Sequence, residues 1–208
     1  MSTLGPISLE GTHIRLDPLT RDHLDALVAA AQPEEISTYL PIDLKAPGAM
    51  ERRIDEFITR QAEGVEFPFV VLDRRDGRVI GSTSYLDVSS ANRAVEIGWT
   101  WYVPERWGTA VNPEAKYLLM QHAFEDWGAI RVFFKTDARN LRSQAAIKKL
   151  GAQYEGTLRS HRILPDGYRR DSVYFSILDH EWPAVRARLE ERLRAFEGQV
   201  KNQVNRPI

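Results

Sequence analysis

The chain has 208 residues, of which 43% are hydrophobic, and its formal net charge is −1, so a sizeable core is expected and bulk charge does not point to nucleic acid. It has no cysteine, which excludes a disulfide framework, a thiolate zinc site and a cysteine nucleophile. No apolar run is long enough to span a membrane, no signal-peptide pattern is present, and the scattered histidines lack metal-ligand spacing, so we expect a cytoplasmic protein without membrane or metal.

The first third of the chain predicts one strand followed by helices. HIRLDPL, residues 13–19, is typical of a strand, and residues 21–31 predict a helix capped by Thr20. PEEISTYL predicts a short helical turn. PGAMERRIDEFITRQAEG predicts a longer helix that ends before Gly64.

The middle of the chain changes to an alternating pattern. FPFVVLDRRDGRVIGSTSYLDV predicts two strands joined by a turn at Asp76-Gly77, and residues 93–103 predict a third strand. Strict alternation would place Glu96 on the face opposite Trp99 and Trp101, which would share their face with Val95.

The rest of the chain alternates between helices and strands. Residues 113–127 predict a helix with Asn112 as its N-cap, IRVFFKTD a strand, and NLRSQAAIKKLG a helix that ends at Gly151. Residues 154–164 and 168–178 predict two strands that meet at PDG, before a last helix, EWPAVRARLEERLRAF. The element order predicts a mixed, mostly antiparallel twisted α/β sheet of about seven strands, with a central parallel β-α-β crossover and helices on both faces.

We expect one domain over residues 1–196 and a polar, mobile tail over residues 197–208. The last helix carries an apolar stripe that would cover the protein's own core or, in a homodimer, a second subunit. The stripe consists of Trp182, Val185, Leu189 and Leu193.

VPERWGTAVNPEAKYLL, residues 103–119, predicts a strand end, a tight turn and a helix start. The backbone N–H groups of residues 107–112 could wrap an anion at the positive end of the helix dipole. Gly108 can adopt backbone angles that other residues avoid, and Thr109 and Ala110 are small. The turn matches neither a P-loop nor a dinucleotide fingerprint, so by itself it is more typical of an ordinary capped turn.

A second segment, DARNLRSQAAIKKLGAQYEGTLR at residues 137–159, changes this interpretation. Together with the turn it resembles the GNAT superfamily of acetyl-CoA-dependent N-acetyltransferases, and most of all the ribosomal-protein-alanine N-acetyltransferases and their relatives. The family's Gln/Arg-x-x-Gly-x-Gly/Ala corresponds here to residues 105–110, and its Asn-x-x-Ser to Asn140 and Ser143. The resemblance extends from Leu9 to Leu178 and includes Lys149, Leu150-Gly151 and Glu155-Gly156.

The resemblance implies direct transfer of an acetyl group from acetyl-CoA to a primary amine. It implies that Glu96 in VEIGW is the general base, that Ser143 is the general acid, and that Asn140 anchors the pantetheine arm. A partly buried Glu96 would have a raised pKa. The resemblance also implies that pantetheine pairs with the backbone of Trp101 and Val103, and that the pyrophosphate lies on the turn formed by Trp107, Gly108, Thr109, Ala110, Val111 and Asn112.

Several of these residues also have structural interpretations. Glu96 could be paired with Arg93, Ser143 and Asn140 could cap the short helix, and Tyr154 or Tyr174 could replace Ser143 as the acid. Trp107 is expected to pack under the turn. Lys116, Arg139, Arg142, Lys148 and Lys149 are cationic candidates for the CoA phosphates, although a solvated helix face suits each of them.

Glu105 departs from the family pattern, because a carboxylate near a pyrophosphate is unfavourable unless Arg106 compensates for it. This departure supports a second hypothesis, a non-catalytic CoA-binding or interaction module on the same fold. A nicotinamide-dependent oxidoreductase is a weaker alternative, because the glycine fingerprint is missing. If the protein is an enzyme, its acceptor could be a protein N-terminus, an amino acid, a polyamine or an antibiotic.

Overall fold

A computed structural model describes residues 4–164 and 166–204. Within these residues, eight strands form a single sheet. The strands are β1 (Leu9–Glu10), β2 (Ile14–Pro18), β3 (Phe67–Asp73), β4 (Val79–Ser89), β5 (Ala94–Tyr102), β6 (Arg131–Asp137), β7 (Gln153–Ile163) and β8 (Arg169–Leu178). The α-helices of the same residues are α1 (Leu24–Ala30), α2 (Glu34–Ser37), α3 (Ala49–Ala62), α4 (Val111–Gln121), α5 (Leu141–Leu150) and α6 (Trp182–Val204).

The strand order is β1-β2-β3-β4-β5-β6-β8-β7, and only β5 and β6 run parallel among the strand pairs of the described chain. The predicted mixed sheet, with its parallel crossover through α4, is therefore confirmed. The predicted number of strands was one too low, because β1 is only two residues long. The turn after it is held by Glu114, whose carboxylate accepts the N–H groups of Thr12, His13 and Ile14 at 2.7, 2.8 and 2.8 Å.

The predicted alternation along β5 is wrong beyond Gly98. Trp99 has a φ of 48°, and the register with β4 shifts there, so one extra residue bulges out of the strand. After the bulge, Tyr102 packs in the cluster that contains Val95, whereas Trp101 packs in the cluster on the other face. That cluster also contains Leu86, which lies opposite Glu96 in the register, so Glu96 shares the face of Trp101.

The helix after the central turn begins earlier than predicted. α4 starts at Val111, and the capping position belongs to Ala110 and not to Asn112. The Thr109 hydroxyl accepts the Val111 N–H at 3.3 Å, which supports the earlier start. α4 ends at Gln121, and residues 122–126 continue as a π-helical turn.

The two faces of the sheet carry separate apolar clusters. One lies under α4, α5 and α6, and the other lies under α1, α2 and α3. Trp182, Val185 and Leu189 of α6 are buried in the first cluster, so this part of the predicted stripe covers the protein's own core.

α6 continues to Val204, past the predicted helix end at Phe196. Residues 205–208 of the predicted tail, and Pro165 of the predicted PDG turn, lie outside the described residues. None of the helices that the structure describes is long and apolar enough to cross a membrane.

Candidate active site

The strands β5 and β6 separate and leave a cleft between them. They are paired only from Ala94 with Arg131 to Glu96 with Phe133, although both strands continue beyond these pairs. The separation opens a cleft of about 610 Å³. Seven predicted site residues line it: Glu96, Trp101, Trp107, Gly108, Asn112, Asn140 and Ser143. The other four, Val103, Thr109, Ala110 and Val111, are not part of this lining.

Two backbone N–H groups of the predicted anion-binding turn are already bonded within the protein. Trp107 donates to the Pro104 carbonyl at 3.0 Å, and Val111 donates to the Thr109 hydroxyl. Within the described residues, no acceptor is found for the N–H groups of Gly108, Thr109, Ala110 and Asn112. Unpaired donors grouped in this way at a helix start form a site suited to an anion.

Gly108 permits this turn because its φ is 74°, in the left-handed region that favours glycine. Glu105, which was expected to oppose an anion, is exposed and does not line the cleft. Arg106 does not compensate for it, because its guanidinium pairs with Asp73 at 2.6 Å. The acidic departure from the family pattern is therefore directed away from the cleft.

Trp107 links the turn to α5. Its indole N–H donates to the Tyr102 carbonyl at 2.9 Å, and the Arg142 guanidinium stacks 3.5 Å from its ring centroid. Arg142 lines the cleft and places a positive charge beside the unpaired N–H groups. Of the other cationic candidates, Lys116 also lines the cleft, whereas Arg139, Lys148 and Lys149 do not.

The backbone of Val103 is engaged within the protein. Its N–H donates to the Ile80 carbonyl at 2.9 Å, and its carbonyl accepts the Arg106 N–H at 3.0 Å. Trp101 is buried but does line the cleft. Of the two predicted pantetheine partners, Trp101 is thus the one at the cleft surface.

Asn140 and Ser143 meet at the start of α5. The Asn140 side-chain oxygen accepts the Ser143 N–H at 2.9 Å, so the expected capping role is present. This bond leaves the Asn140 amide nitrogen free to donate into the cleft. The Ser143 hydroxyl has no hydrogen-bond partner in the described part of the chain, and Tyr154 and Tyr174 do not line the cleft.

Replacing Asn140 with alanine should lower the free energy of unfolding by about 1 kcal/mol, because the N–H of Ser143 would lose its cap. Denaturant unfolding of the purified variant measures this loss. Asn92, an exposed turn residue whose side-chain amide donates to the Ser89 hydroxyl at 2.9 Å but caps no helix, provides the matched control as Asn92→Ala. Equal stability of Asn140→Ala and the parent chain would show that the cap contributes nothing.

Glu96 is almost fully buried, at 2% exposure, and belongs to a cluster of charged groups. The Lys135 ammonium lies 2.7 Å from the Glu96 carboxylate and 2.9 Å from that of Asp87. Burial raises the pKa of Glu96 to about 7 against the opposing influence of Lys135. The expected partner Arg93 is not involved, because it donates to the Gly128 carbonyl at 2.6 Å.

Lys116 is buried within the protein, contrary to the expectation of a solvated helix face. Its ammonium lies 2.6 Å from the Thr100 hydroxyl, and burial lowers its pKa to about 7. The cleft therefore contains a carboxyl group and an amine that both titrate near neutral pH. Groups of this kind are typical of sites that exchange protons.

Sequence reasoning missed Lys135 and Asp87 as members of this cluster. Lys135 stands two residues beyond the partner of Glu96 on β6, and Asp87 follows the partner of Glu96 on β4. The lysine that directly follows the apolar run VFF in this strand was a signal for a charged partner on the neighbouring strand. Within the described residues, no group of three or more acidic or histidine side chains could hold a metal ion.

The profile of the family described as "Acetyltransferase (GNAT) domain" matches residues 13–153. The chain belongs to the GNAT family of acetyltransferases. The matched region of this GNAT chain contains the turn, β5, β6 and α5, so it includes every predicted site residue.

Individual relatives agree with this assignment. The structure of a GCN5-related N-acetyltransferase from Brucella melitensis is 30% identical, with a TM-score of 0.84 over 91% of this chain and 86% of that one. A Bacillus subtilis protein named a ribosomal N-acetyltransferase, YdaF, is 32% identical over 51% of this chain, and the match spans 57% of that relative. Mycobacterium smegmatis RimJ, solved with CoA-disulfide, shares the fold at 21% identity, with a TM-score of 0.79 over 92% of this chain and 97% of RimJ.

Proposed function

We propose that this chain is an acetyl-CoA-dependent N-acetyltransferase that transfers an acetyl group directly to a primary amine. The proposal rests on one observation, which is that a single cleft contains both a candidate anion-binding turn and a candidate general base. At one place its lining contains Gly108 and Asn112 of the turn, whose N–H groups have no acceptor among the described residues, and at another it contains Glu96, with a pKa of about 7.

The turn and α5 fit the donor. The N–H groups of Gly108, Thr109, Ala110 and Asn112 would hold the pyrophosphate of acetyl-CoA, and the charge of Arg142 would assist them. The Asn140 amide would donate to the pantetheine arm. Bound there, acetyl-CoA would supply an activated acetyl group as a thioester. RimJ, which shares the fold, was solved with a CoA derivative, which supports the choice of a CoA thioester as the donor.

Glu96 would act as the general base. Its carboxylate would accept the proton that the amine loses as it attacks, directly or through water. A base with a pKa of about 7 is ionised in a substantial fraction of molecules near neutral pH and is still basic enough to accept that proton. Lys135 would hold the carboxylate in place, since it lies 2.7 Å away.

Ser143 would act as the general acid. Its hydroxyl lies on the cleft lining, is free of internal hydrogen bonds in the described chain, and could donate a proton to the leaving thiolate. No covalent enzyme intermediate is needed, which suits a chain without cysteine. The relatives named for ribosomal proteins suggest a protein N-terminus among the acceptors.

An acceptor screen tests the proposed function. The protein is incubated with acetyl-CoA and a panel of protein N-terminal peptides, free amino acids, polyamines and aminoglycosides, and both thiol release and product mass are followed. We expect at least one amine to accelerate thiol release and to gain the mass of one acetyl group. If CoA raises the melting temperature but no amine accelerates release, the chain is a binding module and not an enzyme.

A further inference from the structure

Arg170 is a buried charge that forms no ion pair with any of the described residues. The residue is 8% exposed, lies in β8 and lines the cleft. Its Nε atom is buried without a hydrogen bond, and its guanidinium makes no ion pair with any residue that the structure describes. Burial lowers the pKa of Arg170 from its usual value, although arginine remains charged at any physiological pH.

The nearest acidic groups of the cleft are already occupied. Both carboxylate oxygens of Asp137 accept from the Arg139 guanidinium, at 3.1 and 2.9 Å. Glu96 is paired with Lys135 at 2.7 Å. The charges of Asp137 and Glu96 favour the ionised Arg170, but each is shared with the cation to which it is bonded. Burying a guanidinium without an ion pair of its own costs several kcal/mol, roughly, so such a group is expected to gain its partner from a ligand.

Arg170 lies on the same side of the sheet as the proposed base. In the register of β6 with β8, Lys135 is opposite Tyr174 and Asp137 is opposite Ser172, so Arg170 continues the same alternating face. Lys135 on that face contacts Glu96. Arg170 is therefore positioned for the amine acceptor, whereas the unpaired N–H groups of the turn belong to the donor.

A second arginine adjoins the first. Arg162 of β7 is the direct cross-strand partner of Arg170, and it also lines the cleft. Two like charges opposite each other on neighbouring strands repel, and an anion between them relieves that repulsion. A guanidinium presents parallel N–H donors whose spacing matches the two oxygens of a carboxylate.

We propose that Arg170, assisted by Arg162, binds a carboxylate of the acceptor, so that the substrate is an amine that also carries a carboxylate. This inference rests on the proposed function and names its substrate class. A carboxylate suits the cleft better than a phosphate, because the lining also contains five acidic side chains that would repel a doubly charged group. These are Glu35, Glu66, Asp87, Glu96 and Asp137.

Matched acceptor pairs test the proposal. Free L-amino acids are compared with their carboxamides. Peptides whose second residue is acidic are compared with peptides that carry the corresponding amide residue at that position. For one of these pair types, we expect kcat/KM to be about 10- to 100-fold higher for the carboxylate member. The pair type that shows the preference distinguishes a free amino acid from a peptide as the source of the carboxylate.

The variant Arg170→Gln should abolish this preference by lowering kcat/KM for the carboxylate member alone. The melting temperature should not fall and the KM for acetyl-CoA should be unchanged, because Arg170 has no ion pair or hydrogen bond to lose among the described residues. Arg169→Gln is the control, since Arg169 is exposed, adjacent and outside the cleft lining. Arg170→Lys, which keeps the charge but not the parallel donors, should recover the preference in part.

Failure of this inference is distinguishable from failure of the proposed function. If amines are acetylated without a preference for the carboxylate member, only the role of Arg170 is overturned. The same holds if Arg170→Gln lowers kcat/KM equally for both members of a pair. If no amine is acetylated, the same acceptor pairs are titrated against the CoA-bound protein and melting temperatures are compared. The inference is overturned, independently of turnover, if the carboxylate member raises the melting temperature of the parent no more than its amide does. It is also overturned if the carboxylate member raises the melting temperature of Arg170→Gln as much as that of the parent.

Discussion

Replacing Glu96 with glutamine should lower kcat/KM for the amine by about 100- to 1,000-fold at neutral pH, since a positioned general base contributes about that much. Glutamine has nearly the same shape as glutamate and can still accept a hydrogen bond from Lys135, which also contacts Asp87 at 2.9 Å. The change should therefore remove the proton acceptor without emptying the site. Steady-state kinetics with the amine found in the acceptor screen provide the measurement.

The dependence of kcat/KM on pH tests the role of Glu96 more specifically than the rate at one pH. Burial raises the pKa of Glu96 to about 7, and only the ionised carboxylate is a base, so the parent's kcat/KM should rise with pH and level off above about 7. In Glu96→Gln this rise of kcat/KM with pH should disappear. The variant's rate should recover in part in alkali, where the amine loses its proton without assistance.

Lys116 is the other group that could produce such a rise near pH 7, because burial lowers its pKa to about 7. The variant Lys116→Met separates the two explanations. If Glu96 is the base, kcat/KM of this variant still rises with pH and levels off above about 7. Glu105→Gln, at an exposed site outside the cleft, should match the parent throughout. A Glu96→Gln enzyme with the parent's rate at every pH would remove Glu96 from the mechanism.

Local patterns predicted most of the fold because each signal depends on neighbouring residues. Gly151 ends α5 in the left-handed conformation, Asn140 caps its start, and Gly77 makes the turn between β3 and β4. The bulge at Trp99 has no comparable local signal. Its positive φ coincides with the shift in register between β5 and β4, so strict alternation failed at that residue.

The charged groups of the site were harder to predict than its backbone. Glu96 and Ser143 were named through the family resemblance, but the partner of Glu96 lies on a strand reached only through the crossover. Lys116 has the sequence context of a solvated lysine, and only the position of α4 against the sheet buries it. The sequence also does not distinguish Arg170 from the other arginines of its hairpin. Arg170 is unusual because it forms no ion pair with the described residues, and a sequence pattern does not show this.

Replacing Gly108 with valine should weaken the binding of acetyl-CoA by about 100-fold. A β-carbon at this position would meet no protein atom within 4 Å, so the effect does not come from crowding inside the protein. It comes from the φ of 74°, which costs a residue with a β-carbon roughly 1–2 kcal/mol, and a β-branched one more. The turn should relax to a negative φ and turn its N–H groups away from the pyrophosphate.

Gly77→Val separates strain from binding, because Gly77 has a φ of 73°, would likewise place a β-carbon with no protein atom within 4 Å, and lies in the β3–β4 turn outside the cleft lining. Both variants should lose a similar amount of stability in denaturant unfolding. Only Gly108→Val should lose affinity for CoA in calorimetric titration, since each hydrogen bond to a charged group contributes about 1.5–3 kcal/mol. Unchanged affinity in Gly108→Val would place the pyrophosphate away from this turn, and the assignment of the donor side of the cleft would then be wrong.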